Sequence, residues 1–293
     1  MPVLQRVSVS VKNILLASDF SSASDKAAAY AKALALNFRS TVEIAHVFDP
    51  SVVTSYMEAI LGLPVKERRH ISSEGLERLQ HEFAEAGIEA HTSLPEGHKP
   101  HAALLQLARE RDTDLIVAGT HSRWGLERLV VGSTAEELIR NAFCPVLTVG
   151  PHAADPPAGA LVFRNIVYAT DFSVEASKAA VYALSFAQDA GAHLFYCYVA
   201  KDQETPAERN AQDAAFRAAL SKMIPESSYE WCTPETVIEH GEAAHAILEL
   251  AERVHADLIV LGARNASFWL THIEHGLTPD LLAEATCPVM TIC

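Results

Sequence analysis

The sequence is short of basic side chains. Lys and Arg number 23 against 37 Asp and Glu in 293 residues, a formal charge of −14. That deficit excludes a broad nucleic-acid or anionic-membrane surface, which would need a basic footprint, but leaves room for one anion held locally by backbone groups. Cysteine is sparse and scattered: Cys144, Cys197, Cys232, Cys287 and Cys293, an odd count without a C-x-x-C pair. This argues against a disulfide framework or zinc ribbon and for free buried thiols. No apolar run approaches the ~18 residues of a membrane helix. The stretch Met1 to Asn13 lacks the apolar core of a signal peptide. Neither Gly-x-Ser-x-Gly nor the Walker-type Gly-x-x-x-x-Gly-Lys-Ser/Thr loop occurs, so neither a hydrolase elbow nor that phosphate loop is expected. These absences leave an acidic, cytoplasmic globular protein, and at ~150 residues per domain the length suggests two domains.

The two domains are copies of one another. Asn13-Ile-Leu-Leu-Ala-Ser-Asp-Phe-Ser recurs as Asn165-Ile-Val-Tyr-Ala-Thr-Asp-Phe-Ser, an offset of 152, and Lys26 and Tyr30 are matched by Lys178 and Tyr182. Further on, Asp114-Leu-Ile-Val recurs as Asp257-Leu-Ile-Val and Cys144-Pro-Val as Cys287-Pro-Val, now at an offset of 143. Two anchors in the same order mark a duplication whose second copy is shorter in its middle. Gly150-Pro-His-Ala-Ala-Asp-Pro-Pro-Ala-Gly has the composition of a linker. The domains are therefore placed at residues 10–150 and 162–293.

Within the first copy, short apolar runs alternate with helical patterns. Asn13–Ala17, Val42–Phe48, Ile88–Leu94, Leu115–Ala118 and Val146–Val149 read as strands. Ser21–Asn37, Val65–Ala86, Pro100–Arg111 and Ala135–Asn141 read as helices. The order βαβαβαβαβ with short, largely apolar strands predicts an α/β fold, a parallel sheet covered on both faces. Such sheets bind ligands beyond the carboxyl ends of their strands, where strand order reverses. Attention falls on Asp19 after strand one, the segment after Val47, and the loop from Gly119.

That loop runs into Gly132-Ser133-Thr134, and Ser133-x-x-Glu136 has the form of a capping box. A helix N-terminus offers unpaired N–H groups and about half a positive charge, a phosphate site that needs no lysine. Gly119 would let the backbone pass close to a ligand, while Gly132-Ser133 is equally readable as an ordinary helix start.

Taken with Asp19-Phe20-Ser21, these positions resemble the universal stress protein family. Its nucleotide-binding members carry Gly, two residues, Gly, nine residues, Gly, then Ser or Thr, after a strand-one Asp. Here Gly119, Gly132 and Ser133 keep that spacing, and Ser122 stands where the second glycine would be. The similarity covers residues 10–150 and 162–293. It implies two tandem five-stranded Rossmann-like domains of strand order 3-2-1-4-5. Strand five would be an edge, through which the halves pair as an internal pseudo-dimer; a homodimer of whole chains is a further option.

For the ligand, the resemblance implies ATP or a related adenine nucleotide, with Mg2+ as an optional companion. Ala17, Asp19 and Val47 would hold the adenosine part, Ala118 and Gly119 the ribose and α-phosphate, and Gly132, Ser133 and Thr134 the outer phosphates. Ser122 adds a side chain to the pocket, whose hydroxyl could bond a phosphate oxygen, and Arg123 beside it could pair with one. The function implied is a nucleotide-responsive sensor in stress response that a protein partner reads. The alternatives are a nucleotide-free scaffold with a decayed site and a slow ATPase; no catalytic constellation is evident.

The second copy departs further. Asn265 stands at the second glycine, His275 at Gly132 and Gly276 at Ser133, although Asp171 survives. Thr278 is expected to cap the next helix, with Pro279 at its first position. Fourteen histidines raise a metal site, but His272 with His275 and His240 with His245 supply too few ligands for zinc. His98 and His101 read as solvated helix-start residues, and Trp124 and Trp269 as cover for the ligand loops or a partner contact.

Overall fold

In a computed structural model, the protein is described over residues 6–51, 62–120, 132–157, 159, 161–201, 205–263 and 277–293. The first half runs β1 (Asn13–Ala17), α1 (Ser22–Phe38), β2 (Thr41–Ala45), α2 (Val65–Glu85), β3 (Ala90–Ser93), α3 (Pro100–Glu110), β4 (Leu115–Gly119), α4 (Ser133–Asn141) and β5 (Val146–Val149). The second half runs β6 (Asn165–Ala169), α5 (Val174–Ala190), β7 (His193–Ala200), α6 (Pro206–Met223), a 3-10 turn (Glu226–Glu230), β8 (Thr233–His240), α7 (Ala243–Arg253), β9 (Leu258–Gly262), α8 (Leu277–Glu284) and β10 (Val289–Ile292).

The strands form one ten-stranded sheet, in the order β3-β2-β1-β4-β5-β10-β9-β6-β7-β8. Each half is parallel and keeps the expected 3-2-1-4-5 order. The halves join where β5 and β10 pair antiparallel, with Leu147 opposite Met290. The edge strand that each half would expose alone is thus covered by its counterpart.

The apolar strands are buried on both faces because successive side chains point to opposite sides. Ile14 and Leu16 enter the core under α1, α2, α5 and α6. Leu15, between them, enters the core under α3, α4, α7 and α8. Among the described residues no helix is long and apolar enough to cross a membrane.

The repeated Asp-Phe-Ser is a turn that starts a helix. The Ser21 hydroxyl accepts from the Ser24 amide at 3.3 Å, and the Ser21 amide and hydroxyl donate to Asp19 Oδ1 at 3.1 and 2.5 Å. Phe20 takes a left-handed φ of 59°, repeated by Phe172 at 61°. Ser173 likewise accepts from the Ala176 amide and donates its own amide to Asp171. Lys26 and Tyr30 hold the chain leaving β5: Lys26 Nζ donates to the carbonyls of Pro151 and Ala153, and the Tyr30 hydroxyl to that of Ala154.

Two helix starts differ from expectation. Gly132, not Ser133, precedes the first helical residue of α4, and being glycine it has no side chain with which to cap it. Ser133 is itself helical, which puts Glu136 one position too far along to close a capping box. Glu136 instead accepts from Arg140 at 2.6 Å. Helix α8 begins at Leu277, so Thr278 and Pro279 lie inside its first turn rather than at the cap and first position.

Candidate functional site

Strand β1 sits between β2 and β4, and the connections leaving β1 and β4 go to opposite faces of the sheet. A crevice opens at such a point. Here it is a cavity of about 460 Å³, within the range that holds small ligands. Ala17 and Asp19 reach it from the end of β1, Val47 from beyond β2, Ala118 and Gly119 from β4, and Gly132, Ser133 and Thr134 from the start of α4. Eight of the ten residues expected from the sequence therefore line one space. The other two, Ser122 and Arg123, fall outside the described residues, as do Trp124, Trp269, Asn265, His272, His275 and Gly276.

The two glycines of the expected motif have different physical reasons. A Cβ on Gly119 would lie 2.4 Å from the carbonyl oxygen of Ala23 and 2.9 Å from the amide nitrogen of Ser24. Glycine is needed there so that α1 can rest on β4, a demand of packing that holds whether or not a ligand approaches. Gly132 has an ordinary φ of −59°, and a Cβ on it would meet nothing within 4 Å. Among the described residues nothing demands glycine at 132, and its missing side chain leaves open space at the cavity.

The walls are apolar and the ends polar. Ala17, Ala45, Val47, Leu104 and Ala118 give a shelf suited to a flat, weakly polar group, and the α4 N-terminus closes one end. The first turn of α4 has N–H groups without intrahelical partners; the first bond within the helix is Glu136 N–H to the Gly132 carbonyl. Among the described residues no Lys or Arg lines the cavity, and its charge-bearing side chains are Asp19, Asp49, His46 and His98. Within that set, an anion would be met by helix-terminal amides.

Two of those four, His46 and Asp49, were not singled out in the sequence. His46 donates from Nδ1 to the Ser18 carbonyl at 2.9 Å and lies against Phe20, ring centres 4.6 Å apart. His98, expected to be a solvated residue without a role, lies at the cavity with its Nδ1 2.9 Å from Asp49 Oδ1. Asp49 Oδ1 also accepts from the Ser51 amide at 2.8 Å and hydroxyl at 2.7 Å. The Ser51 bonds, then His98, hold the Asp49 carboxyl below its ordinary range. The pairing of β2 with β3 continues past both strands: the Phe48 amide donates to the Pro95 carbonyl and the Gly97 amide to the Phe48 carbonyl. That extension sets Asp49 beside His98. The only signal in the sequence is Gly97 and Pro100 flanking the histidine.

The matching cavity in the second half is about 190 Å³. Thr170 and Asp171 occupy the places of Ser18 and Asp19, but the walls are heavier. Leu261, paired with Ala169, stands where Ala118 pairs with Ala17; Cys197 stands where Ala45 does. Glu242 places its own carboxylate on the amides of Ala244 and His245 at the start of α7. Among the described residues no group of three His, Cys, Asp or Glu is set to hold a metal ion. His240 pairs with Asp213 and His245 with Glu249. All five thiols are free; burial pushes Cys144, Cys197 and Cys287 up to about 12.

Comparison with known proteins adds to this geometry. The family model described as "Universal stress protein family" matches residues 10–150 and again 163–292. Universal stress protein MJ0531 of Methanocaldococcus jannaschii is 34% identical over 146 residues, covering 47% of this chain and 81% of its own length. Universal stress protein YxiE of Bacillus subtilis is 33% identical over 144 residues, covering 46% and 97%. Among solved structures, a universal stress protein from Archaeoglobus fulgidus matches 97% of this chain and 99% of its own, with a TM-score of 0.72 and 21% identity. That last likeness is one of fold, and it spans both halves.

Proposed function

The chain belongs to the universal stress protein family, as a tandem of two such domains, and from that premise we propose that its first half binds an adenine nucleotide, ATP or a close relative. The observation that carries this reading is the union, in one cavity, of an apolar shelf, a helix N-terminus without a side-chain cap, and the open space over Gly132. Ala17, Asp19 and Val47 would take the adenosine part, Ala118 and Gly119 the ribose and first phosphate, and Gly132, Ser133 and Thr134 the outer phosphates. Ser122 and Arg123 would contribute a hydroxyl and a cation from the intervening loop, and Mg2+ would accompany a triphosphate. The smaller volume and heavier walls of the second cavity support assigning nucleotide to the first half alone.

Binding would act as a signal by shifting the balance between two states of the protein, which requires different affinities for the nucleotide in each. A protein partner would then read the favoured state. The test is to denature the purified protein and chromatograph the released small molecules, beside titration of ATP into wild type, Ser122→Gly and Gly132→Glu. Co-purifying adenine nucleotide, or micromolar binding abolished by Gly132→Glu, is the expected result. Binding by Ser122→Gly alone would mark a decayed site, and binding by none would remove nucleotide from the account.

A further inference from the structure

We infer that His98, held by Asp49, reads the base of the nucleotide, favouring a purine that carries an amino group at position 6 over one that carries a carbonyl oxygen there. The inference rests on the nucleotide reading of the cavity. It starts from which end of the cavity a base would occupy. Phosphates belong at the α4 N-terminus, beside β4. From there the cavity crosses β1 to β2 and the first turn of α3, where Val47, Pro100 and Leu104 provide apolar surface. A base seated on that surface lies at the end where Asp49 and His98 stand.

The chemistry of the pair follows from its hydrogen bonds. Asp49 is held ionised, with the Ser51 amide and hydroxyl on its Oδ1. A carboxylate can only accept, so His98 Nδ1, 2.9 Å from the same oxygen, is the donor. In a neutral imidazole one ring nitrogen carries the proton and the other is an acceptor. With the proton on Nδ1, Nε2 is left with a lone pair, on a residue that lines the cavity. Adenine offers an N–H donor from its 6-amino group, whereas guanine presents the O6 acceptor at the same position. Hypoxanthine shares that oxygen. A lone pair facing the amine gains a hydrogen bond; facing the oxygen, it meets another lone pair.

Asp49 is thus a positioning residue and His98 the specificity-determining one. His98 is largely exposed, whereas Asp49 is mostly enclosed and also holds the Ser51 amide and hydroxyl. The experiment uses the full chain and titrates ATP and ITP, which differ at position 6. Thermal melts confirm that each variant is folded.

Wild type is expected to prefer ATP. His98→Ala and Asp49→Ala are expected to weaken ATP about 3- to 10-fold, the span of one net hydrogen bond, while leaving ITP within about twofold. Asp49→Asn keeps an oxygen for Ser51 and for His98 Nδ1, so it should retain the wild-type preference; the split between ATP and ITP in His98→Ala, which a structural role would not produce, is the deciding readout. If His98→Ala weakens ATP and ITP equally, or changes neither, the assignment to His98 falls while the cavity keeps its nucleotide. If wild type binds neither, the nucleotide reading falls first.

Discussion

Gly119 and Ala23 meet backbone to backbone, with room for no more than a hydrogen where a Cβ would lie 2.4 Å from the Ala23 carbonyl oxygen. Gly262 repeats the contact in the second half, where a Cβ would lie 2.3 Å from the Ala176 amide nitrogen. The two cavities differ in size and lining, so what the glycines share is the seating of a helix on its strand. Gly119→Ala is therefore expected to destabilise the protein by about 1–3 kcal/mol, the usual cost of overpacking. Gly262→Ala should do the same. The check is the urea midpoint of each variant; a Gly119→Ala protein as stable as wild type would return this glycine to the ligand.

Gly132 should behave in the opposite way. Its Cβ position is open and its φ ordinary. Serine is at least as good as glycine before a helix, by a few tenths of a kcal/mol. Gly132→Ser is expected to hold or slightly raise the melting temperature while weakening ATP about tenfold or more, because its hydroxyl takes the amides offered to phosphate. Calorimetric titration and a melt on the same preparation test both signs. A variant that loses stability and keeps affinity would place the ligand elsewhere.

This contrast marks what the sequence could disclose. The duplication and the alternation of strands with helices were legible because they rest on local chemistry, repeated residues and apolar runs set between helical patterns; the strand order came with the family resemblance, and the turn made by Asp-Phe-Ser was not foreseen. The internal pairing of β5 with β10 followed from the family resemblance rather than from any residue. The reason for Gly119 was not legible, since its neighbour Ala23 is reached only once α1 has folded back across β4. Nor was the pair of Asp49 and His98, which are 49 residues apart and meet through an extension of β2–β3 pairing that no periodicity announces. Ser133 misled as a cap because a helix boundary one residue off turns a capping box into an ordinary first turn.

The buried thiols give the protein an alkaline limit. Burial pushes Cys197 and Cys287 up to about 12; nearby Glu239 and Asp257 push in the same direction, while Arg253 partly opposes it at Cys197. In the unfolded chain a thiol ionises near 8.5. Below that pH both states hold the proton and these residues add no slope. Between about 8.5 and 12 the unfolded chain releases protons that the folded chain keeps, so stability falls as pH rises, by up to about 1.4 kcal/mol per pH unit for each thiol. Urea midpoints at pH 8, 9 and 10 should decline in wild type, and more gently in a Cys197→Ala, Cys287→Ala double variant. Equal slopes would show that other groups set the alkaline limit.

The seam between the halves contains a polar group that the fold does not use. Thr148, on β5 opposite Val289 of β10, is completely buried, and among the described residues its hydroxyl has no hydrogen-bond partner. On the partner strand, the Thr291 hydroxyl is 3.4 Å from the Val146 carbonyl, so the two threonines at the seam are not equivalent. Burying a hydroxyl unpaired costs about 1–3 kcal/mol. Valine has the same branched shape, keeps the β-branched preference for a strand and removes the unpaired group. Thr148→Val is expected to raise stability by about 1 kcal/mol, whereas Thr291→Val should gain less because it also gives up a long hydrogen bond. Since β5 and β10 tie the halves into one sheet, the gain should appear as a higher midpoint of a single transition rather than of one half alone. Loss of stability in Thr148→Val would mean that the hydroxyl is satisfied in solution, by a water at the seam.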